Sequence, residues 1–334
     1  MIEKEKHLII IAVLILFGAQ IIKAQTDSIE LNRTDVRQYI TQRFPQTRTI
    51  LLQAGTTLPC DYNIVNSTGY RQEGRLQNHT KLQANINLPV FHIKGFDIST
   101  GVSYKYGNWY KKGTASNDYN KHNEYHVVSP QITAGYGTML FGKYSIFTAT
   151  AMWDITDRHT EVFDIVLTGT SVIHSSETST LALGISIFPI HNAFFPVLPI
   201  VNYSTMIDKS WMLDCTLPAY VYVRKLLGEK TCVSTGFSLD EEHFYLYPKE
   251  NMENTCSIYW MKNFIKPKVN IEYRFSKHFH ISAEAGYSIP FKGRLYNSKH
   301  IFKDKYEIAK YREHPTPYFN ISCSYNLLFS HNGM

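Results

Sequence analysis

Apolar and polar residues alternate with period two along most of this chain, and the pattern is cleanest near its end. In Pro317–Phe329, Phe319, Ile321, Cys323, Tyr325, Leu327 and Phe329 fall on one side. Tyr318, Asn320, Ser322, Ser324, Asn326 and Leu328 fall on the other. This is a half-buried β-strand of about the length that crosses a bilayer at a tilt. The same alternation runs through Leu76–Val90 and Phe96–Tyr106, joined by a tight Lys94-Gly95 turn as a hairpin. It recurs, less cleanly, in Thr49–Tyr62, Tyr125–Thr138, Lys143–Ile155, Leu181–Pro189, Phe195–Ile207, Trp211–Lys225, Thr231–Tyr247, Tyr259–Phe275 and Phe279–Pro290.

Twelve strands follow from this reading, and their connections fall into two classes. Those at 91–95, 140–142, 190–194, 226–230 and 276–278 are short, and those at 63–75, 107–124, 156–180, 248–257 and 291–314 are long. Only 208–210 breaks the alternation, and the apolar piece 162–173 is open between a strand extension and a loop helix. Short turns alternating with long loops on an even strand count describe an all-β, antiparallel transmembrane barrel of the bacterial outer membrane. Prolines test that reading, because a closed barrel has no edge strand to host them. Pro89, Pro189, Pro290 and Pro317 sit at strand ends, whereas Pro130, Pro199, Pro218 and Pro267 each require a bulge, a gap in the ladder or a different strand boundary.

Before the strands, Lys4 and Lys6 precede the apolar run Leu8–Ile22, and Lys23-Ala24-Gln25 follows. A basic flank, a short apolar core and a small residue predict a signal peptide over 1–24 and export to the periplasm. Residues 25–47 read as an N-terminal periplasmic segment, a short helix capped at Thr34-Asp35 or a disordered stretch, with the barrel over 48–334. Past residue 24 no apolar run is long enough for a membrane helix. The 23 Tyr and 19 Phe instead fit the aromatic girdles of a barrel. The net charge of +6, which becomes +5 without the leader's three Lys and two Glu, is too mild to imply nucleic acid. Five widely spaced cysteines form neither a metal signature nor a disulfide framework, and no cofactor motif is present. Outer-membrane lipid and glycolipid and the barrel-assembly machinery are the partners this location implies.

The run Phe195-Pro196-Val197-Leu198-Pro199-Ile200-Val201-Asn202-Tyr203, followed by Trp211-Met212-Leu213 and Leu217-Pro218, resembles an uncharacterised outer-membrane β-barrel family of Bacteroides-type bacteria. The resemblance implies a barrel fold and outer-membrane location. It carries no activity.

Strand phase directs Lys81, Asp97, Lys105, Asp214, Arg224, Asp240, Glu242, Glu272, Arg274, His280 and Glu284 into the lumen. Their mixed signs suggest neutralising pairs, either a salt-bridged filling or the wall of a narrow polar channel. A passive channel for small hydrophilic solutes is the leading function, with a closed structural or surface-interaction barrel as the alternative. A membrane-embedded lipid hydrolase is a weaker reading, since His126 is the one lipid-facing histidine and no serine partners it. His278 and His280 share a strand face with Ser282 and Glu284, but two imidazoles alone do not make a metal site. The last loop carries Lys292, Arg294, Lys299, Lys303, Lys305, Lys310 and Arg312 against three acids, a +4 excess suited to the phosphates of outer-leaflet glycolipid.

Overall fold

The computed structural model describes residues 48–66, 69–113, 122–176, 178–189, 196–208, 211–227, 230–247, 257–297 and 307–326. The expected signal peptide and the segment 25–47 lie outside these residues. In chain order the strands are β1 (Ile50–Thr57), β2 (Cys60–Asn66), β3 (Arg71–Ile93), β4 (Phe96–Gly113), β5 (His122–Leu140), β6 (Lys143–Ile155), β7 (Thr160–Ser175) and β8 (Ser179–Ile187). They continue as β9 (Val197–Met206), β10 (Trp211–Leu217), β11 (Tyr220–Leu227), β12 (Thr231–Leu246), β13 (Ile258–Arg274), β14 (Phe279–Asn297), β15 (Glu307–Glu313) and β16 (Thr316–Tyr325).

All neighbours pair antiparallel, and the sheet closes because β1 pairs with both β3 and β16. Above that seam β2 pairs with β3 and β15, and β15 with β14. Thus β1 with β2, broken at Leu58-Pro59, forms one wall strand, and β15 with β16 forms another. The barrel has fourteen wall strands. The two strands beyond the expected twelve are β7, which occupies most of the presumed loop 156–180, and a second strand cut from Trp211–Lys225. A turn at Pro218-Ala219 makes that cut. The two additions explain the connection at 208–210: it belongs to the same barrel end as the turns at 94–95, 141–142 and 228–230, and 190–194 moves to the opposite end. We call these the turn end, which also receives both ends of the wall, and the loop end.

The presumed loops 63–75, 107–124 and 291–314 are corrected in part to strand. β3 is 23 residues long, β4 18, β5 19 and β14 19, whereas β8 to β11 have 9, 10, 7 and 8. One side of the barrel is therefore tall and the other low. The extensions escape a period-two reading because no lipid demands an apolar outer face there.

The four interior prolines sit in a turn, at local gaps in the ladder, or where no partner strand reaches. Pro218 is in the turn. The β5–β6 register passes from Val128 to Gln131, skipping Pro130, and the β13–β14 register passes from Ile265 to Lys268, skipping Pro267. Pro199 lies beyond the reach of β10, whose pairing with β9 stops at Val201, so on that side no strand asks for its missing N–H.

The register puts Leu82, Ile86, Val102, Ile132, Phe147, Leu167, Ile185, Phe237, Val269, Ile271 and Ile321 on the outer face, all exposed. So continuous an apolar surface is the face a barrel turns to lipid.

Candidate functional site inside the barrel

The inner surface is two unlike walls. At mid-height on β5 to β9 the inward residues Thr133, Thr150, Val166, Thr168, Ser186 and Asn202 carry no charge, and the inward carboxylates of β6 and β7, Asp154 and Asp164, stand nearer the loop end. The uncharged positions are stitched by hydroxyl pairs such as Thr133–Thr150 (2.9 Å) and Thr168–Ser186 (2.7 Å). The other wall, formed by β3, β10 to β14 and β16, carries the ions. Glu242 takes both Lys81 and Lys266, the latter at 3.1 Å, and Lys266 also reaches Asp240 at 3.1 Å. Lys268 meets Glu284 at 2.9 Å, and Asn320 donates to the same carboxylate at 3.0 Å. Towards the turn end Arg224 pairs with Asp214 at 2.8 Å and Arg48 with Glu272. A cavity of about 180 Å³ lies among Arg48, Tyr222, Arg224, Lys268, Glu272 and Glu284.

Towards the loop end an aromatic layer bridges the interior. Tyr125 of β5 lies 4.3 Å from Phe244 of β12, and Trp109 of β4 lies 5.2 Å from Phe244 and 5.4 Å from Trp260 of β13. Trp260 continues to Tyr311 at 4.5 Å, which stacks on Tyr62 of β2 at 5.6 Å. His79 packs edge-on against Trp109 and Phe244. Within this layer Lys262 is clasped by Glu313 at 2.8 Å, both side chains about 5 % exposed, with Trp260 and Phe244 presenting their faces 4.8 and 5.1 Å away. Two glycines make room: a Cβ on Gly107 would stand 1.9 Å from the Tyr125 ring, and one on Gly74 would stand 2.6 Å from the Tyr62 hydroxyl.

The layer forms because upper β12 and β13 lean inward. Six consecutive β13 residues, Tyr259 to Phe264, are buried, so both faces are covered there. Among the described residues, the low strands β8 to β11 do not extend beside the outer face of upper β12. It crosses instead to the inner side of β5 and β6, where Cα atoms of β12 and β5 come within 8 Å. Asp154 of β6 is the hub of that contact. It accepts from Ser129 (2.6 Å) and Tyr245 (2.8 Å), and His243 Nε2 lies 2.9 Å away. Next to it Glu161 accepts from Tyr247 and Ser257. Burial and that bond to Glu161 hold the Tyr247 phenol above its ordinary pKa.

All eleven predicted lumen residues have inward register. Asp97 lies at the turn-end rim, 61 % exposed and bonded to His92, while Lys105, Arg274 and His280 lie outside the ion-pair cluster. His280 is fully buried, and His278 bonds the Asn326 carbonyl at 2.8 Å. Among the described residues no group of three His, Cys, Asp or Glu could hold a metal. Lys266 and Lys268 were legible, since they share the phase of Glu272. Lys262 shares that phase too, and Asp154 shares the phase of Thr150, whereas Arg48 precedes the strands and nothing local says that upper β12 would turn His243 on its outer face inward. Of the seven basic loop residues, Lys292 lies on β14 opposite Asn263, Arg294 pairs with Glu307, Lys310 and Arg312 are exposed, and Lys299, Lys303 and Lys305 lie outside the described residues. The register turns Cys215 and Cys323 outward and Cys232 inward, all free thiols.

A Ser–Asp–His cluster, Ser129–Asp154–His243, places the carboxylate between hydroxyl and imidazole. The serine thus faces an acid and not the base a nucleophile needs. His126 holds the Tyr104 hydroxyl at 2.8 Å between the Tyr104 and Tyr106 rings.

Fold and interior together define a closed antiparallel barrel with an apolar outer face and a polar, partly filled lumen. No family model matches the chain, and no curated protein does. Among solved structures it is similar to an outer membrane channel from Pseudomonas putida F1, with a TM-score of 0.36 and 11% identity over 88% of this chain and 99% of that one. It is also similar to the P. putida toluene transporter TodX (TM-score 0.37, 8% identity, 91% and 96% covered) and to a Pseudomonas aeruginosa FadL homologue (0.32, 9%, 85% and 91%). Likeness at this level carries no inference about cargo.

Proposed function

We propose that the protein is an outer-membrane channel for small hydrophilic solutes, delivered by export and barrel-assembly machinery and held shut at rest by the aromatic layer of β12 and β13. The observation that carries this reading is the buried ionic wall. Ion pairs inside a protein are often no better for stability than apolar residues of the same volume, because desolvation offsets their attraction. A purely structural barrel therefore gains little from Lys81, Glu242, Lys266 and Asp240, whereas a hydrated path gains a polar lining. Fourteen strands also lie between the roughly eight that side chains fill and the roughly sixteen that leave an open pore. Here a leaning pair of strands fills the difference.

The turn end then faces the periplasm and the loop end the exterior. A permanently closed barrel with a surface role is the second reading, favoured by the unbroken ring contacts from Tyr125 to Tyr62. Conductance across a planar bilayer separates the two. The channel reading expects brief openings from the native protein and larger, longer ones when Trp260 and Phe244 are cut to Ala. Silence from both folded proteins sinks it.

A further inference from the structure

The upper segments β15 and β2 and the tall strands β3 and β4 are consecutive around the wall, and their outer faces above the apolar belt share a charge pattern. Lys310 and Arg312 on β15, Arg71 and Arg75 on β3 and Lys112 on β4 all point outward and are exposed. Two acids stand among them, Asp61 and Glu73. Glu73 meets Arg71 at 2.8 Å, while Asp61 and Arg75 are 3.9 Å apart, and all four side chains are about 60 % exposed. The patch keeps a net charge of +3, and Glu124 on β5 marks its edge.

Its height says what it can meet. On β4 the outward series climbs from Val102 through Tyr104 and Tyr106, the interface rings, to Asn108, Tyr110 and Lys112. On β3 it climbs from Leu82 through Thr80 and Asn78 to Arg75. At a rise of ~3.3 Å per residue and a tilt of ~40°, the cations stand about 15 Å above the last lipid-facing side chains. A phospholipid headgroup layer is only about 5–8 Å deep per leaflet. On β3 and β4 the positions at that depth, Thr80, Asn78 and Asn108, are uncharged, and the charge level with them is the acid Glu124 on β5.

We propose that this face binds the phosphorylated sugars of an outer-leaflet glycolipid. The cations stand at the height of a saccharide layer above the lipid anchor, not at that of an ordinary headgroup. The site is a belt across four strands that shares only Lys310 and Arg312 with the basic loop. It depends on the barrel's orientation in the membrane and is independent of whether the lumen conducts.

The test uses the full-length barrel in phosphatidylcholine nanodiscs doped with lipopolysaccharide or with the same lipopolysaccharide after enzymatic dephosphorylation. Glycolipid retained per barrel is counted by native mass spectrometry. Heat-modifiable migration on gels checks that each variant is folded. Wild type is expected to retain the phosphorylated form. The R75Q/K310Q/R312Q variant is expected to retain roughly tenfold less, each exposed cation contributing a factor of about two or three. The turn-end control K143Q/K277Q should match wild type, and R71Q/K112Q supplies a second reading should the triple variant not fold. Equal retention by wild type and the patch variants, or equal retention of the dephosphorylated glycolipid, overturns the proposal.

Discussion

Glu313→Gln tests whether β13 is clasped to β15, two strands along the wall, or merely rests near it. Lys262 and Glu313 are 2.8 Å apart with side chains only 4 and 5 % exposed, so the pair is desolvated on both sides. Removing one partner of such a pair costs about 3–5 kcal/mol, chiefly because the other charge stays buried without its counter-ion. Two features lower that figure. Gln keeps an oxygen for the Tyr311 hydroxyl, which now donates at 2.8 Å, and the ammonium keeps the Trp260 and Phe244 faces, worth about 0.5–2 kcal/mol. A net loss of about 2–4 kcal/mol follows. The double variant Lys262→Met/Glu313→Gln removes the stranded charge, and its stability is expected within about 1 kcal/mol of wild type. Urea unfolding in lipid vesicles, read by tryptophan fluorescence, measures all three proteins, since Trp109 and Trp260 lie in the layer itself. A single variant as stable as wild type, or a double variant worse than the single, would refute the clasp.

Gly107→Ala should push the Tyr125 ring off its seat, because the new methyl would stand 1.9 Å from the ring. The barrel wall is expected to survive and the contact with Phe244 to open, seen as increased conductance from a protein whose migration on unboiled gels is unchanged. Thiol labelling checks the register: with Cys256 replaced by Ser, a lipid-partitioning maleimide should modify Cys323, which is outward and half-buried, and spare Cys232, which is inward and buried. The opposite order would mean that β16 or β12 is shifted by one residue.

Much of the wall was readable from period two alone. The hairpin of β3 and β4, the closing strand and its partners β1 and β14 follow directly from which residues alternate. The two missed strands share a cause. β7 reads as a mixed apolar run, Val162 to Ile173, because hydroxyls and β-branched residues line both of its faces. β10 and β11 merge because Leu217-Pro218-Ala219 turns without glycine, asparagine or aspartate. Inward ions were legible as residues but not as pairs, since Lys81 and Glu242 are far apart in sequence and meet only once the sheet closes. Least legible was the leaning of β12 and β13. It follows from the shortness of β8 to β11, a fact about the whole circumference that no single strand contains.

The central claim is that an aromatic layer of inward-leaning strands closes a polar lumen. Single-channel recording of the native barrel against the Phe244→Ala/Trp260→Ala variant addresses it most directly. A mostly closed native protein and a variant with larger, longer-lived openings are the predicted result. A native protein with a large steady conductance that the variant leaves unchanged would contradict the account, because ions would then be passing where Trp109, Phe244, Trp260 and Tyr311 are packed.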